Sequence, residues 1–335
     1  MEREGFKYHW WGKGDIDASF GIFFDGFSKI LTAMGILTMV FGMPARIVIG
    51  KVVPGIGLAI FLGNLWYFYE ARQLAIRERR QDVTSQPFGI GASQLSGWLY
   101  LIIGPVYWQT KDAELAFQVG LAAAFIGGMV EIAGGFAGRW IIDNIPNCAL
   151  MGNMASSAMV WLSIVGLAMV FDKPVYGLLP LFIIIIDYLG KADKRFAKIP
   201  SGVAAILIGT AVAWAGGYQT WERFEQSFAS IGFYPPSLSA GDILAGFKGI
   251  VPFLPVIIPL QINNFLSTLQ GLESARMAGD TYPERRSMIM DGVSTIAGSL
   301  FGNPFPTTVY FGHPGWKELG ARAGFSLVNG GLYLL

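Results

Sequence analysis

The sequence is short of the side chains on which most soluble chemistry depends. It has one cysteine, Cys148, so no disulfide can close within the chain, and two histidines, His9 and His313. Without a Cys/His cluster there is no zinc or other metal ligand set, and no cofactor motif is found. Charged residues make up only 14% of the 335 residues, against roughly 25% in soluble domains. The net charge of +1 sits in connecting loops and leaves no nucleic-acid footprint. There is no convergent nucleophile, acid–base pair or metal cluster, so no catalytic residue is assigned and an enzyme is not expected. The N-terminus, MEREGFKYHWWGKGDID, is polar and aromatic and is not a cleavable signal peptide. His9, Trp10 and Trp11 suit a membrane interface.

What is abundant points one way. Hydrophobic residues reach 53%, glycines number 44, and mean hydropathy is +0.48. That composition predicts an all-α polytopic membrane protein with close helix packing at small residues. Taking about 20 apolar residues per span, the chain divides into eleven spans. The first covers Ala18 to Met43 and the second Val52 to Tyr69, followed by the charged loop EARQLAIRERRQD. The third is Phe88 to Tyr107, the fourth Leu115 to Ala137, the fifth Ala149 to Phe171 and the sixth Tyr176 to Leu189. KADKRFAKIP leads into the seventh, Ser201 to Gly217; residues 218–249 suit an amphipathic segment on the membrane surface. The eighth is Ile250 to Leu272, the ninth Met288 to Phe301, the tenth is broken, and the eleventh starts near Ala321.

Charge asymmetry orients the chain. Of 24 Lys and Arg residues, 17 fall on one side and 6 on the other if the N-terminus is cytoplasmic, with Lys29 inside the first span. Positive loops face the cytoplasm, which predicts a multi-pass protein of the inner or plasma membrane with its N-terminus inside. Only fifteen residues, Ala321 to Leu335, form the last segment, and fewer spans follow the surface segment than precede it, so a longer permease is expected.

Two stretches cannot be continuous helix. Asn303–Gly315 reads NPFPTTVYFGHPG, where Pro304 and Pro306 donate no backbone hydrogen bond and push the preceding residues toward extended geometry. Gln86–Gln94 reads QPFGIGASQ, with the same Pro-Phe followed by small residues. Broken backbone at membrane depth is tolerated only where it is buried or lines a cavity. Two such breaks in matching positions of two halves mark a secondary transporter's binding site.

Polar residues within spans are the functional candidates. Asp25 and Lys29, four apart, share a helix face; they are either an ion pair facing another helix or groups beside the substrate or coupling ion. Glu131, in IGGMVEIAGG, is a protonatable relay or an inter-helix hydrogen bonder. Asp187 and Glu70 sit at span ends, solvated or capping, and Asp291 opens the ninth span at the interface. The eighth span carries PLQINNFLSTLQGLES, with Gln261, Asn263, Asn264, Ser267, Thr268 and Gln270 at helical spacings, a polar stripe that either glues helices together or lines a substrate site and is dense for glue alone. Amides donate and accept together, which suits an uncharged planar ligand such as a heterocyclic base. Phe88, Phe305 and Tyr310 offer stacking surfaces, Gly89, Gly91 and Ala92 allow close backbone approach, and Thr307 and Thr308 complete the substrate set. His313 either satisfies a local hydrogen bond or is a further proton-coupling candidate.

The span order, DVTSQPFGIGASQ before the third span, and FGNPFPTTVYFGHPG in the tenth resemble the xanthine/uracil permeases. These belong to the nucleobase–cation symporter group that includes the nucleobase–ascorbate transporters, and the chain is most similar to the hypoxanthine/guanine permease-like branch. The resemblance runs through the whole chain. It implies inverted seven-span repeats, the second incomplete here, with short β-strands in broken spans three and ten. It further implies core spans at 18–147 and 250–335 and gate spans at 148–217, besides the N-terminal segment 1–17 and the interfacial segment 218–249. The implied function is secondary active transport of a purine or pyrimidine by alternating access, with H+ or Na+ as coupling ion and a homodimer as an assembly the family often adopts. The family usually places acidic residues where Asn264 and Phe311 stand, and neither can carry a proton. Coupling would then fall to Asp25, Lys29, Glu131 or His313. The rival readings are an anion transporter on the same architecture and a substrate-sensing membrane protein that does not transport.

Overall fold

The computed structural model describes residues 6–146, 148–149, 152, 155–156, 158–189, 201–228 and 232–334. The KADKRFAKIP connection and parts of the fifth span lie outside the described residues. The chain forms two compact units, Met1–Met154 with Tyr234–Leu335, and Ala155–Phe233.

In the larger unit, α1 and its π-helical last turn run from Asp15 to Val40. Asp15 and Asp17 in the first turn complement the helix dipole, and Gly42, at φ +59°, with Pro44 ends the span. Helix α2 spans Ala45–Glu78. It continues nine residues past the expected end at Tyr69, because EARQLAIRE is built of strong helix formers. Glu70 is therefore inside a helix, not at a solvated end: it is 5% exposed, with Arg286 Nη1 at 3.9 Å. Strand β1 (Phe88–Ile90) precedes α3, which runs over 92–110 through a π-helical turn at Leu99–Ile103. Helix α4 (Ala113–Asn144) starts at Asp112, whose carboxylate accepts the Glu114 and Leu115 backbone N–H groups at 2.9 and 3.0 Å.

The smaller unit holds α5 (Val165–Asp172), α6 (Pro174–Leu189), α7 (Ser201–Ala215) and α8 (Trp221–Phe228). The chain then returns to the larger unit with α9 (Ala240–Gly246). The 218–249 stretch is thus not one surface helix. Residues 232–239 are non-helical, and α9 packs on α4, where a Cβ on Gly246 would collide with the Gln118 carbonyl. Next come α10 (Leu254–Met277), α11 (Glu284–Leu300), strand β2 (Thr307–Val309), α12 (His313–Glu318) and α13 (Gly324–Leu332).

The order α1, α2, β1–α3, α4 recurs as α10, α11, β2–α12, α13. Packing recurs with it: α13 lies on α1 and α2 as α4 lies on α10 and α11. Opposite orientation of the two halves is why their strands meet antiparallel, Phe88 opposite Val309, Gly89 opposite Thr308 and Ile90 opposite Thr307. The α4–α11 crossing is a backbone contact. A Cβ on Gly128 would lie 2.7 Å from the Gly292 carbonyl oxygen, and one on Gly292 would lie 2.6 Å from that of Gly128. Small residues at membrane helix crossings permit such approach.

The core of this unit includes Leu37, Phe41, Ile60, Trp98, Phe117 and Phe305, all buried. Large apolar side chains also cover the outside, among them Phe20 and Leu31 on α1 and Phe136 and Trp140 on α4. Among the described residues, four helices are individually long and apolar enough to cross a bilayer: Asp15–Val40, Ala45–Glu78, Ala113–Ile141 and Val251–Met277. An apolar exterior on helices of that length is what a lipid environment requires.

Candidate functional site

The two breaks meet at the centre of the larger unit. Beyond the strand pairing, the Tyr310 backbone N–H donates to the Pro87 carbonyl at 2.7 Å. Neighbouring helices hold each strand by its main chain. Asn64 on α2 donates Nδ2 to the Phe88 carbonyl at 3.1 Å, and Asn264 on α10 donates Nδ2 to the Thr307 carbonyl at 3.1 Å. Thr295 on α11 accepts the Thr307 N–H at 3.0 Å. Proline denies the breaks helical hydrogen bonds, so these polar side chains supply the partners that water cannot.

Of the expected substrate residues, Gly89, Gly91, Thr307, Thr308 and Tyr310 gather on or beside the strands. The Tyr310 ring lies over Gly89, where a Cβ would strike its hydroxyl, and that hydroxyl donates to the Ile90 carbonyl at 3.0 Å. The space over Gly91 holds the Gln94 amide, whose Oε1 accepts from Ser93 Oγ at 2.9 Å. Ala92 is the half-buried first residue of α3, and Asn263 is half-buried on α10, its carbonyl accepting from Ser267 Oγ at 2.9 Å. Phe88 and Phe305 are placed otherwise. Both are fully buried: Phe88 packs on Gly63 and Tyr67, with ring centroids 5.5 Å apart, and Phe305 belongs to the core. They brace the strands and present no stacking face, Phe88 in a strand whose three residues are all buried.

Asp25 and Lys29 pair at 2.5 Å, and Lys29 Nζ sits 4.1 Å from the centre of the Tyr310 ring. The ammonium is largely buried beside the broken tenth span with its charge matched by Asp25. Glu131 is fully buried and accepts from Gln261 Nε2 at 3.1 Å and Asn264 Nδ2 at 3.0 Å. Asp291 is also 0% exposed, accepting from Tyr67 Oη at 2.7 Å and from Thr268 Oγ1 at 2.7 Å. The interfacial assignment of Asp291 is therefore corrected. Helix α11 starts at Glu284 rather than Met288, which carries Asp291 roughly 10 Å along the helix from its first residue at 1.5 Å per residue.

His313 lies apart from these groups, in a cluster of connecting loops. Its Nε2 is 3.0 Å from the Thr84 carbonyl and 3.2 Å from Asp280 Oδ2. Asp280, fully buried, also receives Lys317 Nζ at 2.5 Å, Arg80 Nη2 at 2.8 Å and the Thr84 N–H at 3.0 Å. Burial pushes the Asp280 carboxyl up, but hydrogen bonds from His313, Lys317 and Thr84 outweigh it and hold the group below its ordinary range. The exposed Asp82 is drawn down to about 2, chiefly by its hydrogen bond from Arg80.

Several buried polar atoms around the strands have no hydrogen-bond partner: Gln94 Nε2, Asn264 Oδ1, Gln261 Oε1 and Gln270 Nε2. Buried amides in that state are open to a ligand with complementary donors and acceptors. Sequence reasoning missed Gln94, although it closes the QPFGIGASQ break, and also Tyr67 and Asp280. The signal for Asp291 was the run of small and polar residues after it, DGVSTIAGS, which suits a buried face.

Two broken segments meeting as antiparallel strands between halves of like helix order define a helical fold with inverted repeats. The chain is similar in fold to the transmembrane domain of a cyanobacterium bicarbonate transporter, BicA, with a TM-score of 0.58 and 15% identity; the match covers 96% of this chain and 80% of that one. No family model matches the sequence, and no curated protein matches it either.

Proposed function

We propose that the chain is a secondary active transporter that moves a nucleobase-like small molecule by alternating access, driven by a proton or another cation. The observation that carries this reading is the set of unpartnered buried amides at the strand crossing, led by Gln94 Nε2 in the first turn of α3. Amides recognise a neutral ligand that both donates and accepts, and a purine or pyrimidine ring has such edges. The motif resemblance to xanthine/uracil permeases supports the same class. Spans one to four and eight to eleven would form the moving core and spans five to seven the gate, in an inner or plasma membrane with the N-terminus cytoplasmic, with a homodimer as the assembly.

An anion carrier is the second reading, favoured by the fold likeness to a bicarbonate transporter. Against it, the ammonium of Lys29 at the crossing is already neutralised by Asp25.

Uptake by proteoliposomes of labelled adenine, hypoxanthine, uracil, sulfate and bicarbonate separates these readings. Gradient-driven uptake of a base is expected. Gln94→Ala should raise its KM about two- to tenfold, the worth of one hydrogen bond to a neutral partner, without reducing the yield of folded protein. Anion uptake without base uptake would transfer the assignment to the second reading, and binding without uptake would indicate a sensor.

A further inference from the structure

Glu131 on α4 and Asp291 on α11 share one hydroxyl. Thr268 Oγ1 lies 3.3 Å from Glu131 Oε1, 2.7 Å from Asp291 Oδ2 and 3.0 Å from Thr308 Oγ1. Glu131, Asp291 and Thr268 are 0% exposed and Thr308 is 2% exposed. The titratable groups facing the pair are these two carboxylates and Tyr67 from α2. Helix α10 and strand β2 contribute only the neutral Gln261, Asn264, Thr268 and Thr308. Among the described residues, no Lys, Arg or His makes a hydrogen bond or ion pair with either carboxylate.

Burial decides what this geometry holds. Two bare carboxylates sharing one hydroxyl here would be buried charges without a counter-charge, the costliest state a protein interior offers.

We propose that Glu131 and Asp291, bridged by Thr268, hold one proton between them and that this is the coupling proton; the second part rests on the transport reading above. The site is tied to the broken tenth span. Asp291 accepts the Val309 backbone N–H, Thr268 meets Thr308, and Asn264 joins Glu131 to the Thr307 carbonyl. Release of the proton converts the acid to a carboxylate and sets two like charges against each other across the α4–α11 crossing. Protonation thus favours the arrangement in which β2 is held as observed.

Infrared difference spectra of the purified full chain between about pH 5 and about pH 9 test the site without any substrate. The expected result is one buried carboxylic-acid carbonyl band, shifted in heavy water, that vanishes in Glu131→Gln and persists in Asp25→Asn. Thr268→Val should displace the band and Thr268→Ser should restore it, which keeps the test available if Asp291→Asn fails to fold. Persistence of the band in Glu131→Gln, or its absence from the parent protein, overturns the proposal. Loss of the band on adding sodium chloride at constant pH overturns it in favour of a sodium site. If the band behaves as expected while no base is taken up, the shared proton stands and the substrate reading fails. Proton-driven base uptake with no such band has the opposite meaning: the substrate reading stands and the shared proton fails.

Discussion

Valine at Gly292 is expected to abolish the folded protein. At the α4–α11 crossing each glycine carbonyl stands where the other residue's Cβ would be, at 2.6–2.7 Å. Backbone cannot swing aside as a side-chain tip can, so the helices must separate. Glu131, one turn from Gly128, and Asp291, adjacent to Gly292, are carried on the same two helices beside the crossing. Separation therefore also breaks the hydroxyl bridge at Thr268. Overpacking of a close-packed interior costs about 1–3 kcal/mol and more where backbone must move, and Gly292→Val belongs at or beyond the upper end. A melt of the detergent-solubilised protein, followed by its monodisperse fraction, checks this. Gly292→Ala should fall between parent and valine variant. A valine variant that melts with the parent would mean that the crossing opens freely in solution.

The second large effect is expected from Asp280→Ala. Asp280 is 0% exposed and is the common acceptor for Lys317, Arg80, His313 and the Thr84 N–H. Removing one partner of a buried ion pair typically costs about 3–5 kcal/mol, because charges are left without a counter-charge. The connection after α2, the connection after α10 and the start of α12 would come apart together. The wild-type pH dependence follows from the same contacts. Since the folded carboxyl is held below its usual value of about 3.9, its stabilisation is complete above that pH. It is lost as pH falls through the folded value, and acid should loosen this cluster. Limited proteolysis across the two connections, at about pH 7 and about pH 3, reads both effects. Equal cleavage of parent and Asp280→Ala at neutral pH would show that the cluster carries no such weight.

Sequence and structure agree where a local rule was decisive. Pro87, Pro304 and Pro306 forced extended backbone, and their matching positions in two halves led to the crossed strands. Spacing of four put Asp25 and Lys29 on one face, where they pair. The rest depended on contacts between distant segments. Asp291 was placed at an interface because the ninth span was begun at its first apolar residue, four residues after the helix in fact starts. Glu70 was misplaced for the same reason at the end of α2. Nothing local to Glu131 reveals that its partners lie on α10, and nothing local to His313 reveals Asp280. The inward face of Phe88 was equally hidden, since a three-residue strand can present either side.

The strand pair that joins the two halves is knit almost wholly from main-chain groups, including the Tyr310–Pro87 contact. In the transport reading proposed above, a seal made this way would not depend on which side chains stand there. Residues that choose a solute could then be exchanged without making the bilayer leaky, and a change of substrate need not pass through a toxic intermediate.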